Sequence, residues 1–186
     1  MTWGGGSGPR LSPVCEIIVE LGQPRDFGAT RDGERRFTPI LGGELRGLAH
    51  ARAGDAVRGL RAAILPGGGD RQLLRGQLSP VGGADPHSHA IPSPAAGPAG
   101  MPAGASAAAP VVEIDARYDA RTEQGALIGM HAVGVRRIGP DGGVYFRVTI
   151  RFETSEPALA ELQNALYVAD GVREADRVRH TVYRVD

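Results

Sequence analysis

Along most of the chain, apolar and polar residues alternate with a period near two, the pattern of strands that turn one face to a core. Residues 15–21 (CEIIVEL) set Cys15, Ile17, Val19 and Leu21 on one face and Glu16, Ile18 and Glu20 on the other. Residues 111–121 repeat this at greater length. Val112, Ile114, Ala116, Tyr118 and Ala120 face one way, and Glu113, Asp115, Arg117, Asp119 and Arg121 form a wholly charged opposite face. Strands over 126–137 and 144–153 follow after turns at 123–125 and 139–143, which predicts an antiparallel meander. Weaker strands are expected over 35–40 and 44–49, with Gly42 and Gly43 between them, and over 60–65. The cluster Pro66, Gly67, Gly68, Gly69, Asp70 is expected to reverse the chain into 71–75. Segments 166–169 and 177–185 read as closing strands. A short helix is expected over 158–165, with Ser155 as N-cap and Pro157 in the first turn. Eight to ten strands and one short helix predict an all-β, antiparallel, closed or nearly closed β-barrel, which removes exposed edges; a β-sandwich is the competing architecture.

Composition narrows the chemistry. The 186 residues suit one domain, and 28 glycines with 14 prolines argue against a bundle of long helices. Residues 1–13 are Gly-rich and aperiodic, and are expected to be a flexible tail. The barrel domain then spans 14–186, interrupted at about 77–110 by a Pro/Ala/Gly-rich stretch without aromatics. Such a stretch buries too little apolar surface to offset its ordering entropy, so a disordered insertion is expected. Basic and acidic residues cancel to a net charge of +0, which provides no global field for nucleic acid or an anionic membrane. Every basic residue is Arg, so Schiff-base catalysis and a Walker A phosphate loop are excluded for want of Lys. Cys15 is the only cysteine, which rules out an intrachain disulfide and a Cys-rich zinc site. Neither a signal-like start nor a run of roughly 20 apolar residues is present, and the expectation is a soluble cytoplasmic protein.

Individual residues offer several chemistries. His87 and His89 lack metal-ligating neighbours other than Asp85, and no metal is expected. His131 shares a face with Leu127, Val133 and Val135; it reads as a packed core histidine, with an acid or base lining a cavity as the rarer outcome. For the charged strand faces, the ordinary assignment puts the apolar side inward and the charges in water. Were part of the charged set to face inward, Arg with Asp or Glu would form a polar cluster in an apolar chamber, with shifted pKa values suited to proton transfer or oxyanion stabilisation. Tyr118, Tyr145, Phe146 and Phe152 would supply contact surface.

The motifs PGGGDRQLL (66–74), EIDARYDARTEQGALI (113–128), VYFRVTIRFET (144–154), ELQNALYVADGVR (161–173) and TVYRV (181–185), with the early GGELRG (42–47), together resemble the DUF3237 family, also called UPF0311. The resemblance covers nearly the whole chain outside the tail and the insertion. It implies a small, calycin-like barrel with an internal pocket. It also assigns Asp70 to the Asp of the family's PGG-x-D motif, Asp115, Arg117 and Tyr118 to DARY, Tyr145, Phe146 and Arg147 to YFR, and Phe152, Glu153 and Thr154 to FET. Two departures stand out. Arg71 occupies a position where the family usually has Trp, and Glu161, Leu162, Gln163 replace a Trp-Leu-Asn segment, which implies a different ligand or a repurposed site.

These readings converge on a cofactor-independent cyclase or isomerase acting on an apolar, polyketide-like metabolite, in natural-product biosynthesis. In the concrete version, Asp70 or Glu153 moves a proton, Arg117 and Arg147 stabilise an enolate or carboxylate, Tyr118 with Phe146 orders the substrate, and Tyr145 and His131 complete the pocket. The rival is a non-catalytic barrel that binds or carries a hydrophobic metabolite; a scaffold with a filled interior carries less weight. The only partner expected beyond the metabolite is a second copy of the chain, from the need to cover strand edges.

Overall fold

The computed structural model describes residues 8–51, 56–76, 110–139 and 141–186. Residues 1–7 and the stretch 77–109, which includes His87 and His89, lie outside the described residues. The strands are β1 (Leu11–Leu21), β2 (Arg25–Thr30), β3 (Gly33–Gly47), β4 (Arg61–Ile64), β5 (Gly69–Arg75), β6 (Val111–Thr122), β7 (Leu127–Ile138), β8 (Val144–Glu153), β9 (Leu166–Arg173) and β10 (Arg177–Val185). All pairings are antiparallel. Strands β5, β6, β7, β8, β9, β10, β1 and β3 follow one another around a ring. The β1–β3 and β3–β5 pairings close it into an eight-stranded barrel.

Alternation decides which side chains fill it. On β6 the buried set is Val112, Ile114, Ala116, Tyr118, Ala120 and Thr122, while Asp115, Arg117, Asp119 and Arg121 are exposed. On β8, Phe146, Val148, Ile150 and Phe152 are buried and the residues between them are exposed. The charged faces are therefore the outer wall, as the hydrophobic effect requires when one face of each strand is sealed from water.

Three local expectations change. First, Gly42 and Gly43 do not interrupt the chain but lie inside one 15-residue strand, β3. Gly43 has φ +131°, and a Cβ there would run into the Ile18 carbonyl of β1, so glycine permits the close β1–β3 approach that closes the barrel. Second, residues 66–70 do not reverse the chain. Both β4 and β5 run antiparallel to β3 and to β6, so the two are halves of one strand position, offset by a bulge at 65–68. The bulge is tied to both neighbours by Ile40 N to Gly68 O (2.9 Å) and Leu65 N to Asp119 O (2.8 Å). Third, β1 begins at Leu11, inside the expected tail, and Leu11, Ser12 and Pro13 pair with Val185, Arg184 and Tyr183.

The expected helix is a 3-10 helix, Pro157–Gln163, capped by Glu156 rather than Ser155: the Glu156 carboxylate accepts from Ala158 N at 3.2 Å. It packs Leu159 and Leu162 into the apolar core, and Gln163 Nε2 donates to Thr154 O at 2.9 Å.

Candidate functional site

At one end of the barrel, the inner faces of all eight strands surround a chamber. Its wall is apolar over Val19, Leu21, Ile40, Ile114, Ala116, Ala132, Phe146 and Val178, and polar at Thr38, Asp70, Gln72, Tyr118, Arg136, Arg173 and His180. It holds about 480 Å³ of empty space counted out to its mouth, but only about 40 Å³ admits the centre of a water-sized molecule. The chamber is narrow, with room for a slender or flat group.

Asp70 enters as the second residue of β5, where the register sets it beside Thr38 of β3 and Ala116 of β6. The preceding glycines make that entry possible. A Cβ on Gly68 would stand 2.7 Å from that of Tyr118, and one on Gly69 would strike the Phe37 ring. Asp70 is 8% exposed; one carboxylate oxygen accepts from Gln72 Nε2 (2.7 Å), the other from Asp115 N (3.1 Å). It forms no ion pair with a described residue. Burial pushes its pKa up, and neither these hydrogen bonds nor the positive charge of Arg136 restores the ordinary value. A carboxyl so placed exchanges a proton nearer to neutral pH than an exposed one.

Three further groups line the same chamber. Tyr118 is buried on β6 and its hydroxyl has no hydrogen-bond partner among the described residues. Burial, reinforced by Cys15 and Asp70, raises its pKa and keeps it a proton donor. His180 of β10 is 5% exposed, with Nδ1 unpartnered; burial pushes its pKa down to about 4, so the ring is neutral at pH 7. Its ring meets Phe146 edge-on, with centroids 5.3 Å apart. Opposite His180 stands Gly171, where a Cβ would lie 2.6 Å from the Phe146 ring. Arg136 of β7 sits over the same ring, with its guanidinium carbon 5.9 Å from the centroid.

The expected site residues separate by face. Asp70, Tyr118 and Phe146 line the chamber. Arg117 and Glu153 are exposed on the outer wall, where neither reaches the chamber, and Tyr145 is 40% exposed. Arg147 also faces outward and pairs with Asp170. His131 is neither a core histidine nor a chamber residue: its Nε2 lies 2.8 Å from Asp115 Oδ1 on the outer wall, because Ile128, Met130 and Ala132 form the inward row of β7. Thr38, Gln72, Arg136, Arg173 and His180 were not anticipated. The signal was present in the phase of the strands, since Arg136 continues the row Ile128, Met130, Ala132, and Arg173 continues Tyr167, Ala169, Gly171. Cys15 is fully buried and its thiol is pushed up to about 12, which leaves it protonated. Among the described residues, no three His, Cys, Asp or Glu side chains gather as a metal site, and no helix is long and apolar enough to cross a membrane.

Relatives share this architecture. UPF0311 protein RPA1785 of Rhodopseudomonas palustris is 27% identical over 186 residues, spanning 92% of this chain and 94% of that protein. The crystal structure of RPA1785 superposes with a TM-score of 0.68 at 26% identity, covering 97% of this chain and all of that one. A β-barrel-like protein from Acinetobacter baumannii gives 0.71 at 23% identity, over 99% of this chain and 100% of its own. Two fungal proteins are more distant. PR-toxin biosynthesis cluster protein 7 of Penicillium roqueforti is 39% identical over 71 residues, 36% of this chain and 38% of that one. An enzyme from Penicillium herquei shares the fold at TM-score 0.57 and 11% identity, with full coverage of both chains. The family model described as protein of unknown function (DUF3237) matches residues 9–185, and the chain belongs to that family.

Proposed function

We propose that the chamber is the active site of a cofactor-independent cyclase or isomerase acting on a small, largely apolar, polyketide-like metabolite. The observation that carries this is Asp70: a buried carboxyl held by two hydrogen bonds, facing a chamber with a partly apolar wall, with the free hydroxyl of Tyr118 lining the same space. The Asp70 carboxylate takes a proton from a carbon next to a carbonyl. The C–H electrons become an enolate, whose oxygen accepts a hydrogen bond from Tyr118. In an isomerisation, Asp70 returns the proton to another carbon of the enolate. In a cyclisation, the enolate forms the ring bond at an electrophilic carbon of the same molecule, and the proton goes to the acceptor atom. Both reactions balance without an oxidant or reductant. Glu153, Arg117 and Arg147, which face outward, have no part in it. A role in secondary metabolism is supported by the partial match to a protein named for a toxin biosynthesis cluster.

The test is exchange of carbon-bound hydrogen for deuterium beside the carbonyl of aryl ketones in heavy water, followed by mass spectrometry. Wild-type protein is expected to accelerate exchange over buffer, and Asp70→Asn to lower that acceleration about 100-fold or more. Ketones that raise the melting temperature without exchanging would favour the carrier reading instead.

A further inference from the structure

Proton transfer by Asp70 leaves two part-buried guanidiniums unexplained. Arg136, on β7, and Arg173, at the end of β9, both line the chamber. Neither forms an ion pair with Asp70 or any other described residue. Arg136 Nε is buried without a hydrogen-bond partner, and Arg173 makes one long bond, from Nη2 to Ala175 O at 3.4 Å. A third cation, Arg36 of β3, is close enough to act on both electrostatically, but its own charge is met by Asp26, with Nε 2.6 Å from Oδ1. Burial disfavours the charged form of Arg136 and of Arg173, and the charge of Arg173 adds to the strain on Arg136.

An arginine does not lose its proton under such strain, so the cost stays in the fold unless an anion relieves it. Asp70 is the only acidic side chain among the described residues of the chamber lining; its charge acts favourably on both cations, but its carboxylate is engaged by Gln72 and Asp115 and forms an ion pair with neither. The chamber thus gathers one carboxyl and two guanidiniums that lack an ion-pair partner in a largely apolar wall, an excess of positive charge.

We propose that Arg136 and Arg173 form the receptor for a permanent carboxylate on the substrate, so that the ligand is a slender organic acid anchored by that end with its apolar body directed along the chamber. This rests on the reading of the chamber as the ligand site and names the class of molecule that enters it. A guanidinium presents paired N–H donors that match a carboxylate, and the partly desolvated setting strengthens the contact. The narrow free space selects a flat or unbranched body over a bulky one. Arg136 resting on Phe146, itself edge-on to His180, fixes where the acid end lies.

The experiment uses 4-oxo-4-phenylbutanoate and its methyl ester, which share shape and ketone but differ in charge, with full-length protein and calorimetric or thermal-shift readout. The acid is expected to bind wild type at least ten-fold more tightly than the ester. Arg136→Met and Arg173→Met are each expected to abolish that preference while the ester binds as before, and ligand-free Arg136→Met is expected to melt no lower than wild type. Should Arg136→Met fold poorly, Arg136→Gln serves in the same comparison. Equal binding of acid and ester by wild type, or a preference that survives both arginine substitutions, would overturn the proposal, as would binding of neither probe. Asp70→Asn separates the two readings: it should lose deuterium exchange yet bind the acid at least as well, because a competing negative charge is gone. An Asp70→Asn protein that still exchanges deuterium but prefers the acid would overturn the proton-transfer role and leave the carboxylate receptor standing.

Discussion

His180 shows how a single buried side chain couples the chamber to pH. Its folded pKa is about 4 against 6.5 for a free histidine, with burial as the cause. Below pH 6.5 the unfolded chain binds a proton that the folded chain refuses, so stability falls as pH drops from 6.5 towards 4 and is unaffected by this group above that window. A shift of this size corresponds to about 3 kcal/mol. Urea unfolding between pH 4 and 7 should therefore show a steeper acid loss in wild type than in His180→Phe. Matching slopes would mean that the ring already reaches water. The residue scale is also where reading the chain by type misled most. Arg117, Arg147 and Glu153 were candidates because they sit in motifs beside other charged and aromatic residues, whereas Arg136 and Arg173 were not singled out. Phase, counted from the buried rows of β7 and β9, puts the second pair inside.

At the scale of elements, alternation located the strands whose two faces differ in burial and failed where they do not. Strand β2 went unseen because all six of its residues are exposed and it pairs only with β3, leaving no hydrophobic period to detect. The Gly-rich stretches of β3 and of the β4–β5 bulge resembled turns because glycine marks both reversals and close approaches; only the neighbouring strand tells them apart. Gly171 is such an approach. Replacing it with alanine puts a methyl 2.6 Å from the Phe146 ring, in a strand that cannot easily retreat. Gly171→Ala is expected to cost about 1–3 kcal/mol in chemical denaturation and to weaken probe binding, since the ring's free direction is into the chamber. Unchanged stability and binding would show that the strand yields instead of the ring.

For the whole molecule, closure is the decisive event. Arg75 and Val111 are paired neighbours on β5 and β6, so the described residues on either side of 77–109 lie within hairpin distance. Replacing residues 77–109 with a short Asn-Gly turn is expected to leave the melting temperature within a few degrees of the full chain or slightly above it, because closing a shorter loop costs less entropy. A collapse in melting temperature would show that the segment belongs to the fold. The sequence alone determined the strand-rich class, most strand positions, the division of β6 and β8 into an apolar and a charged face, and the chemistry closed to a chain without lysine, because these follow from local period and composition. Which inward residues become neighbours was decided only by the tertiary structure. Asp70, Tyr118, Arg136, Arg173 and His180 come from five different strands, and their meeting depends on register and barrel closure, which no single strand specifies.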